Sequence, residues 1–338
     1  MRQIVITKAG KPDVLQIREK DAPHAGKGEL RIRVKAAGIN FADILARKGL
    51  YPDAPKKPCV VGYEISGIVE AVGESVSANW IDKKVLSLVQ FGGYSEIVTV
   101  PERQVFEMPS NLSFEQAAAL PVNYLTAYQL LVVMGNLRRD ESVLIHNAGG
   151  GVGLAALDIA KHIGATIFGT ASFWKHEFLK NRGLQFAIDY RSQDWVREIK
   201  RLTNGRGVEL VIDPIGGKHW QKSFRALRHT GRLGVFGISA ATRSNFSEKL
   251  SLIKLVFQTP RFNPIGLMNR NKGIFGVHIG HLWHEQGKVL SWMNALLDGV
   301  RQGWVQPHVD RSFPFDKAAE AHEFIEARKN IGKAILVP

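Results

Sequence analysis

The chain has 338 residues, 45% of them hydrophobic, and carries 45 Lys/Arg against 31 Asp/Glu for a formal net charge of +14. Its size suits two globular domains, its composition excludes a disordered or low-complexity chain, and no apolar run approaches the roughly 20 residues of a membrane span. The single cysteine, Cys59, excludes an intrachain disulfide and a cysteine-rich structural zinc lobe; with no signal-peptide core at the N-terminus, it points to a cytoplasmic setting.

In chain order, the first hundred or so residues read as short strands and turns. MRQIVITKAG opens as a strand, and LRIRVKAAG and SGIVEAVG alternate as half-buried strands do, with glycine between them. After Pro109-Ser110 the pattern turns helical from Leu112 to Met134, with Ser113 and Gln116 at the spacing of a capping box. From residue 142, strands alternate with helices: VLIHNA, a helix after Gly153, TIFGTA, FAIDY, VELVID, RLGVFG and IFGVHI. This α/β alternation predicts a doubly wound parallel sheet of six strands. The tail holds helical patterns at LSWMNALLDGV and FDKAAEAHEFIEARKN and closes on a strand from Lys333 to Val337.

The segment between the first two strands of that sheet carries the most chemistry. Val143-Leu144-Ile145 runs into Ala148-x-Gly150-x-x-Gly153 and then into a helix. A dinucleotide pyrophosphate needs this order: a strand to deliver the backbone, residues without side chains for close approach, and helix N–H groups aimed at the phosphates. Gly150, Gly151, Val152 and Gly153 are the candidate phosphate contacts. Alanine at 148, where the fingerprint has glycine, departs from the pattern because it restricts a tight turn. An ordinary strand-to-helix loop is the plain alternative. At the end of the next strand, where an NAD site places a carboxylate for the ribose 2′-hydroxyl, the chain offers Ser172 and Lys175. A hydroxyl and an ammonium suit a 2′-phosphate, so NADPH is expected over NADH, unless Ser172 is only a helix cap and Lys175 only a solvated charge.

Charge is uneven. Residues 124–277 hold 22 basic against 10 acidic side chains, and from Lys218 to Lys272 there are 11 basic residues and one acid, Glu248. Either an acidic neighbour or a solvated basic face follows.

GINFADILARKGLYP, PVNYLTAYQLL, NAGGGVG and GKAILVP together resemble the zinc-independent quinone oxidoreductase branch of the medium-chain dehydrogenase/reductases. KPDVLQIREKDAP, GELRIRVKAAGINFADILARKGLYPDAP and GVHIGHL resemble its vesicle amine transport protein-like subgroup. The resemblance implies a GroES-like, strand-rich catalytic domain from residues 1–123 and 278–338, and a Rossmann NADP(H)-binding domain from 124–277. Where zinc-dependent members have a ligand Cys and Gly-His-Glu, this chain has Asn40 and Gly62-Tyr63-Glu64. Neither Asn40 nor Tyr63 suits zinc, and no metal is expected. Carbonyl polarisation then falls to hydrogen bonds. Asn40, Tyr51 and Tyr63 are the candidate catalytic residues for hydride transfer from NADPH to a quinone or an α,β-unsaturated carbonyl, with Asp43 holding the loop. The resemblance adds Thr126, Tyr190, Phe236, Gly237, Phe275, Val277 and Lys333 as candidate cofactor contacts, and a homodimer. His146, His278 and His281 are expected in the core or at its rim, and Asp213 in a structural role.

Residues 240–272 form a basic insertion in which Lys249, Lys254, Arg261, Arg270 and Lys272 alternate with Leu250, Leu252, Ile253, Leu255, Val256 and Phe257. It fits a cleft cover, a dimer contact or peripheral contact with an anionic membrane. The last gives a second function class: a nucleotide-binding interaction protein with little turnover. With no aromatic–basic platform apparent, nucleic acid is not expected as a partner.

Overall fold

The computed structural model describes residues 1–242 and 257–338. Lys249, Lys254, Leu250, Leu252, Ile253, Leu255 and Val256 of the basic insertion lie outside the described residues. The chain divides into two compact units, one from Met1–Leu125, Gly280–Gly303 and Pro307–Pro338, the other from Thr126–Ile279 and Trp304–Gln306.

The first unit is strand-rich. β1 (Arg2–Ile6) and β2 (Leu15–Glu19) form an antiparallel pair. β3 (Glu29–Gly38), β4 (Glu64–Val72), β5 (Lys84–Leu88), β6 (Ile97–Pro101) and β7 (Val105–Glu107) join two strands from the chain's end in a seven-stranded sheet. Alternation decides which face is buried: Leu30, Ile32 and Val34 point into a core with Ile65, Val69, Val85 and Val98. Helix α1 (Phe41–Lys48) follows β3 directly and ends on Gly49, whose φ of 73° terminates it in the left-handed region. α2 (Phe114–Ala118) carries the expected capping box, with Gln116 N–H donating to Ser113 Oγ at 3.2 Å and Ser113 N–H to Gln116 Oε1 at 3.0 Å. The helical stretch continues as α3 (Pro121–Tyr128) and then widens into a π-helical turn, Gln129–Val133.

The second unit is the six-stranded parallel sheet. β8 (Ser142–His146), β9 (Thr166–Ala171), β10 (Phe186–Asp189), β11 (Val208–Asp213), β12 (Leu227–Val235) and β13 (Gly273–Gly276) lie in the order β10-β9-β8-β11-β12-β13. All five pairings are parallel. The order reverses between β8 and β11, which opens a crevice at their carboxyl ends. Helices α4 (Gly151–Ile163), α5 (His176–Asn181), α6 (Trp195–Leu202), α7 (Lys218–Ala226) and α8 (Pro264–Met268) follow in turn. Near-continuous apolar strands are what a sheet covered on both faces requires, and Val143, Leu144, Ile145, Val211 and Ile212 are fully buried. The C-terminal stretch returns to the first unit with α9 (Gln286–Arg301), β14 (Val309–Pro314), α10 (Ala318–Glu326) and β15 (Lys333–Val337). β15 pairs with β14 and β3.

Candidate functional site

In the second unit, β8 ends at His146 and the chain turns sharply before α4. The left-handed conformation this turn needs falls on Asn147, at φ 55°, and not on Ala148. Asparagine tolerates that region better than most side chains. This explains how alanine is accommodated at the position where the fingerprint has glycine. Gly150 is the N-cap of α4. A Cβ there would stand 2.6 Å from Asn147 Nδ2, and one at Gly153 would stand 2.6 Å from the Ala148 carbonyl oxygen. The backbone contact makes glycine a requirement at Gly153, whereas at Gly150 the Asn147 side chain would have to move. Gly151 and Val152, on the first turn of the helix, are part-exposed.

The residues expected to read the 2′-position are grouped with this turn. Ser172 follows β9, and its Oγ lies 3.4 Å from the Tyr190 hydroxyl after β10. Lys175 runs along the glycine turn, its Cδ 2.7 Å from where a Gly149 Cβ would be, and its Nζ lies 4.9 Å from the Trp174 ring centre. Phe173 and Trp174 beside it are exposed aromatics. Phe236, Gly237, Phe275 and Val277 stand at the ends of β12 and β13, on the same carboxyl edge, where Val277 N–H donates to Val235 O at 2.9 Å. Thr126 is buried in α3.

In the first unit, α1 opens at Asn40 immediately after β3, and a polar cluster forms beneath it. The Asn40 amide nitrogen donates to Glu64 Oε1 at 3.0 Å, and its Oδ1 accepts from Lys333 Nζ at 2.6 Å. Lys333 also pairs with Glu64 directly, and Glu64 Oε2 accepts from Val122 N–H at 2.8 Å. Lys333 is 3% exposed and Glu64 fully buried, so the two charges are matched in the interior. Lys333 was expected as a cofactor contact. Its ammonium is instead held by Asn40 and Glu64, and Asn40 is a buried strut with both ends of its amide engaged.

Asp43, one turn into α1, accepts from Asn40 N–H at 2.7 Å, Gly62 N–H at 3.1 Å and the Tyr94 hydroxyl at 3.1 Å. Burial nevertheless dominates and raises its carboxyl from 3.8 to about 7, against the pull of those donors and of Lys333. Tyr94 continues to His322 Nε2 at 3.3 Å. Tyr51 and Tyr63 meet edge-on with ring centres 6.2 Å apart, and Phe91 covers Tyr63 at 5.2 Å. Burial, followed by the Asp43 charge, holds the Tyr63 hydroxyl well above the usual phenol range; burial also raises Tyr51. Both hydroxyls therefore stay protonated near neutral pH and can donate hydrogen bonds.

The positions of the zinc-dependent branch do not fit a catalytic metal. Asn40 offers an amide oxygen already taken by an ammonium, and Tyr63 a phenol that burial keeps protonated. One group escaped the sequence reading. His146 Nδ1 lies 2.9 Å from Thr170 Oγ1, and its Nε2 lies 3.2 Å from Ser223 Oγ. Asp213 Oδ2 accepts from Ser223 at 2.6 Å and lies 2.6 Å from His219 Nδ1. His146 and Asp213 were expected to be structural, but adjacent strand ends bring them together; the i, i+4 spacing of His219 and Ser223 on α7 was the one local signal. Burial, then the neighbouring His219, depresses His146 to about 3. His281 is exposed and paired with Asp53 at 2.8 Å, and His278 is also exposed.

Comparison with known proteins decides the family. Residues 26–110 match the family model of the alcohol dehydrogenase GroES-like domain and residues 182–336 that of the zinc-binding dehydrogenase domain. The human synaptic vesicle membrane protein VAT-1 homolog is 38% identical over 341 residues, covering 100% of this chain and 86% of the relative. Human quinone oxidoreductase is 30% identical over 341 residues, covering 100% and 98%. The chain belongs to the medium-chain dehydrogenase/reductase superfamily, in its zinc-independent branch. Among solved structures, Escherichia coli quinone oxidoreductase complexed with NADPH superposes with a TM-score of 0.88 at 30% identity, covering 100% of both chains. The human VAT-1 homolog-like protein gives 0.87 at 34%, covering 100% of this chain and 98% of the other. The GroES-like and six-stranded Rossmann architecture of this branch is the fold observed here.

Proposed function

We propose that this protein is an NADPH-dependent reductase of quinones or α,β-unsaturated carbonyls. The observation that carries the reading is the turn at Asn147–Gly153, where backbone carbonyls leave no room for a Cβ at Gly153 and the Asn147 side chain crowds Gly150, while Ser172, Lys175 and Tyr190 gather beside it. The relatives named as quinone oxidoreductases, one solved with NADPH, support it. Gly150, Gly151, Val152 and Gly153 would hold the pyrophosphate on the first turn of α4, whose N–H groups and dipole favour an anion. Ser172 and Lys175, with Tyr190, would bind the 2′-phosphate. Thr126, Phe236, Gly237, Phe275 and Val277 would line the nicotinamide side. When bound, the reduced nicotinamide supplies a hydride to an electrophilic carbon of the substrate. Tyr51 and Tyr63 would donate hydrogen bonds to the substrate oxygen, where negative charge develops. The proton that completes the reduction comes from solvent, directly or through one of these phenols.

The test is a parallel titration with NADPH and NADH, followed by oxidation of bound cofactor with a small quinone and an enone. Lys175→Ala and Ser172→Ala should each weaken NADPH roughly tenfold to a hundredfold, the worth of one charge-assisted hydrogen bond of about 1.5–3 kcal/mol, and leave NADH almost unchanged. Equal losses for both nucleotides would refute the 2′-phosphate assignment.

A second reading rests on charge: the basic excess of residues 124–277 and the vesicle-membrane names of several relatives support peripheral contact with an anionic surface. Among the described residues no helix is long and apolar enough to cross a membrane.

A further inference from the structure

We propose that His146, His219 and Asp213, joined by the Ser223 hydroxyl, form a binding site for a divalent transition metal of the zinc type. The site lies within the Rossmann unit. It uses none of the positions at which the zinc-dependent branch of the family holds metal.

The argument starts from the donor set. Two imidazole nitrogens, a carboxylate oxygen and a hydroxyl oxygen converge from three elements: the carboxyl ends of adjacent strands β8 and β11, and successive turns of α7. The nitrogens and the carboxylate oxygen all lie within 4.8 Å of one another. The measured separations are 2.6 Å from Ser223 Oγ to Asp213 Oδ2, 2.6 Å from His219 Nδ1 to Asp213 Oδ2, 3.2 Å from His146 Nε2 to Ser223 Oγ and 3.5 Å from Ser223 Oγ to His219 Nδ1. Bonds of about 2.0 Å in a tetrahedron put ligand atoms roughly 3.3 Å apart. Two of these four edges are already near that length, two are shortened because shared protons draw those atoms together, and the His146 edges to Asp213 and His219 lie within 4.8 Å. Loading requires an expansion of about 0.7 Å at the two shortened edges. The proton between His219 and Asp213 leaves to solvent as the metal takes its place, and the Ser223 hydroxyl either ligates or turns aside.

The surroundings orient these groups as a second layer does around a metal. Asp213 Oδ1 accepts from Ile215 N–H at 2.7 Å, which fixes the carboxylate and leaves Oδ2 for the cluster. His146 Nδ1 is engaged by the Thr170 hydroxyl, which leaves Nε2 facing Ser223. Trp195 packs against both imidazoles, with ring centres 4.5 Å from His146 and 5.1 Å from His219. His146, Asp213 and Ser223 are buried, whereas the His219 side chain is 18% exposed and gives the ion its access.

The full chain, stripped with chelator, is titrated with Co²⁺ at near-neutral pH while visible d–d absorption and tryptophan fluorescence are followed. One equivalent should bind with the intense absorption of four-coordinate cobalt and be displaced by Zn²⁺. His219→Ala should lower the affinity at least a hundredfold, and His281→Ala, which removes an exposed imidazole of the other unit, should bind as the wild type does. Cobalt bound beside Trp195 should also quench its emission, and Trp195→Phe should lose that share of the quench, a readout independent of whether His219→Ala folds. No uptake, a weak octahedral spectrum, uptake undiminished by His219→Ala, or a quench undiminished by Trp195→Phe would each overturn the site. None of these readouts depends on turnover, so failure here is distinct from failure of the reductase reading.

Discussion

Asp43 and two histidines set opposite pH dependences at single side chains. Asp43 rises from 3.8 to about 7 on folding because burial outweighs four favourable partners. Between those values the folded state binds the proton and the unfolded state does not. Its contribution is therefore present at low pH and is lost as pH rises to about 7, on the order of 4 kcal/mol in all. His146 and His322 fall from 6.5 to about 3, chiefly through burial. There the unfolded state holds the extra proton, so stability is present above about 6.5 and is lost as pH falls towards 3. The two histidines mask the aspartate in a raw profile. The expected outcome is in a difference: wild type minus Asp43→Asn, in unfolding free energy from denaturant melts, should fall as pH rises from about 4 to about 7. A difference that is flat across that range would show that Asp43 is ionised throughout.

Elements explain what was legible in the sequence and what was not. The six parallel strands could be read because each is a short apolar run closed by glycine or a helix start, and a strand buried on both faces must look that way. The capping box at Ser113 and the glycine turn could be read because their chemistry is local. The polar cluster could not, since Asn40, Glu64 and Lys333 meet only when β15 pairs with β3. The same holds for His146 and Asp213, which the parallel pairing of β8 and β11 brings together. The π-helical turn at Gln129–Val133 left no trace that spacing could reveal. Helix-to-helix ties are equally non-local. Arg182, at the end of α5, makes two bonds of 3.0 and 2.8 Å to Asp158 on α4. With Asp158 6% exposed, removing the guanidinium takes two bonds from a buried carboxylate that keeps the Gln306 N–H at 3.2 Å. Arg182→Ala should therefore cost about 3 kcal/mol in a denaturant melt. At the glycine turn, Gly153→Ala should abolish NADPH-dependent thermal stabilisation without unfolding the sheet. A nucleotide-induced shift equal to that of the wild type would show that the close approach at Gly153 does not matter for binding.

For the whole molecule, charge is the property that local geometry leaves unexplained. Of the net +14, residues 124–277 supply +12, from 22 basic and 10 acidic side chains. A dinucleotide needs only a few of these. Much of the excess falls between Lys218 and Lys272, where apolar side chains alternate with basic ones. Near an anionic lipid surface each lysine or arginine contributes about 1 kcal/mol, and the attraction fades beyond a Debye length of about 8 Å at physiological salt. Sedimentation with phosphatidylserine vesicles should therefore be strong at low salt, weaken steeply as salt rises and be absent with neutral vesicles. Reversing Lys249 and Lys254 to Glu should lower vesicle binding at least tenfold while leaving NADPH affinity unchanged, because neither residue belongs to the proposed nucleotide contacts. Sedimentation that ignores both the reversal and the salt would remove the membrane reading. The charge excess would then be a solvated face, and among the described residues of the Rossmann unit the glycine turn and the proposed metal site would stand as its ligand-directed features.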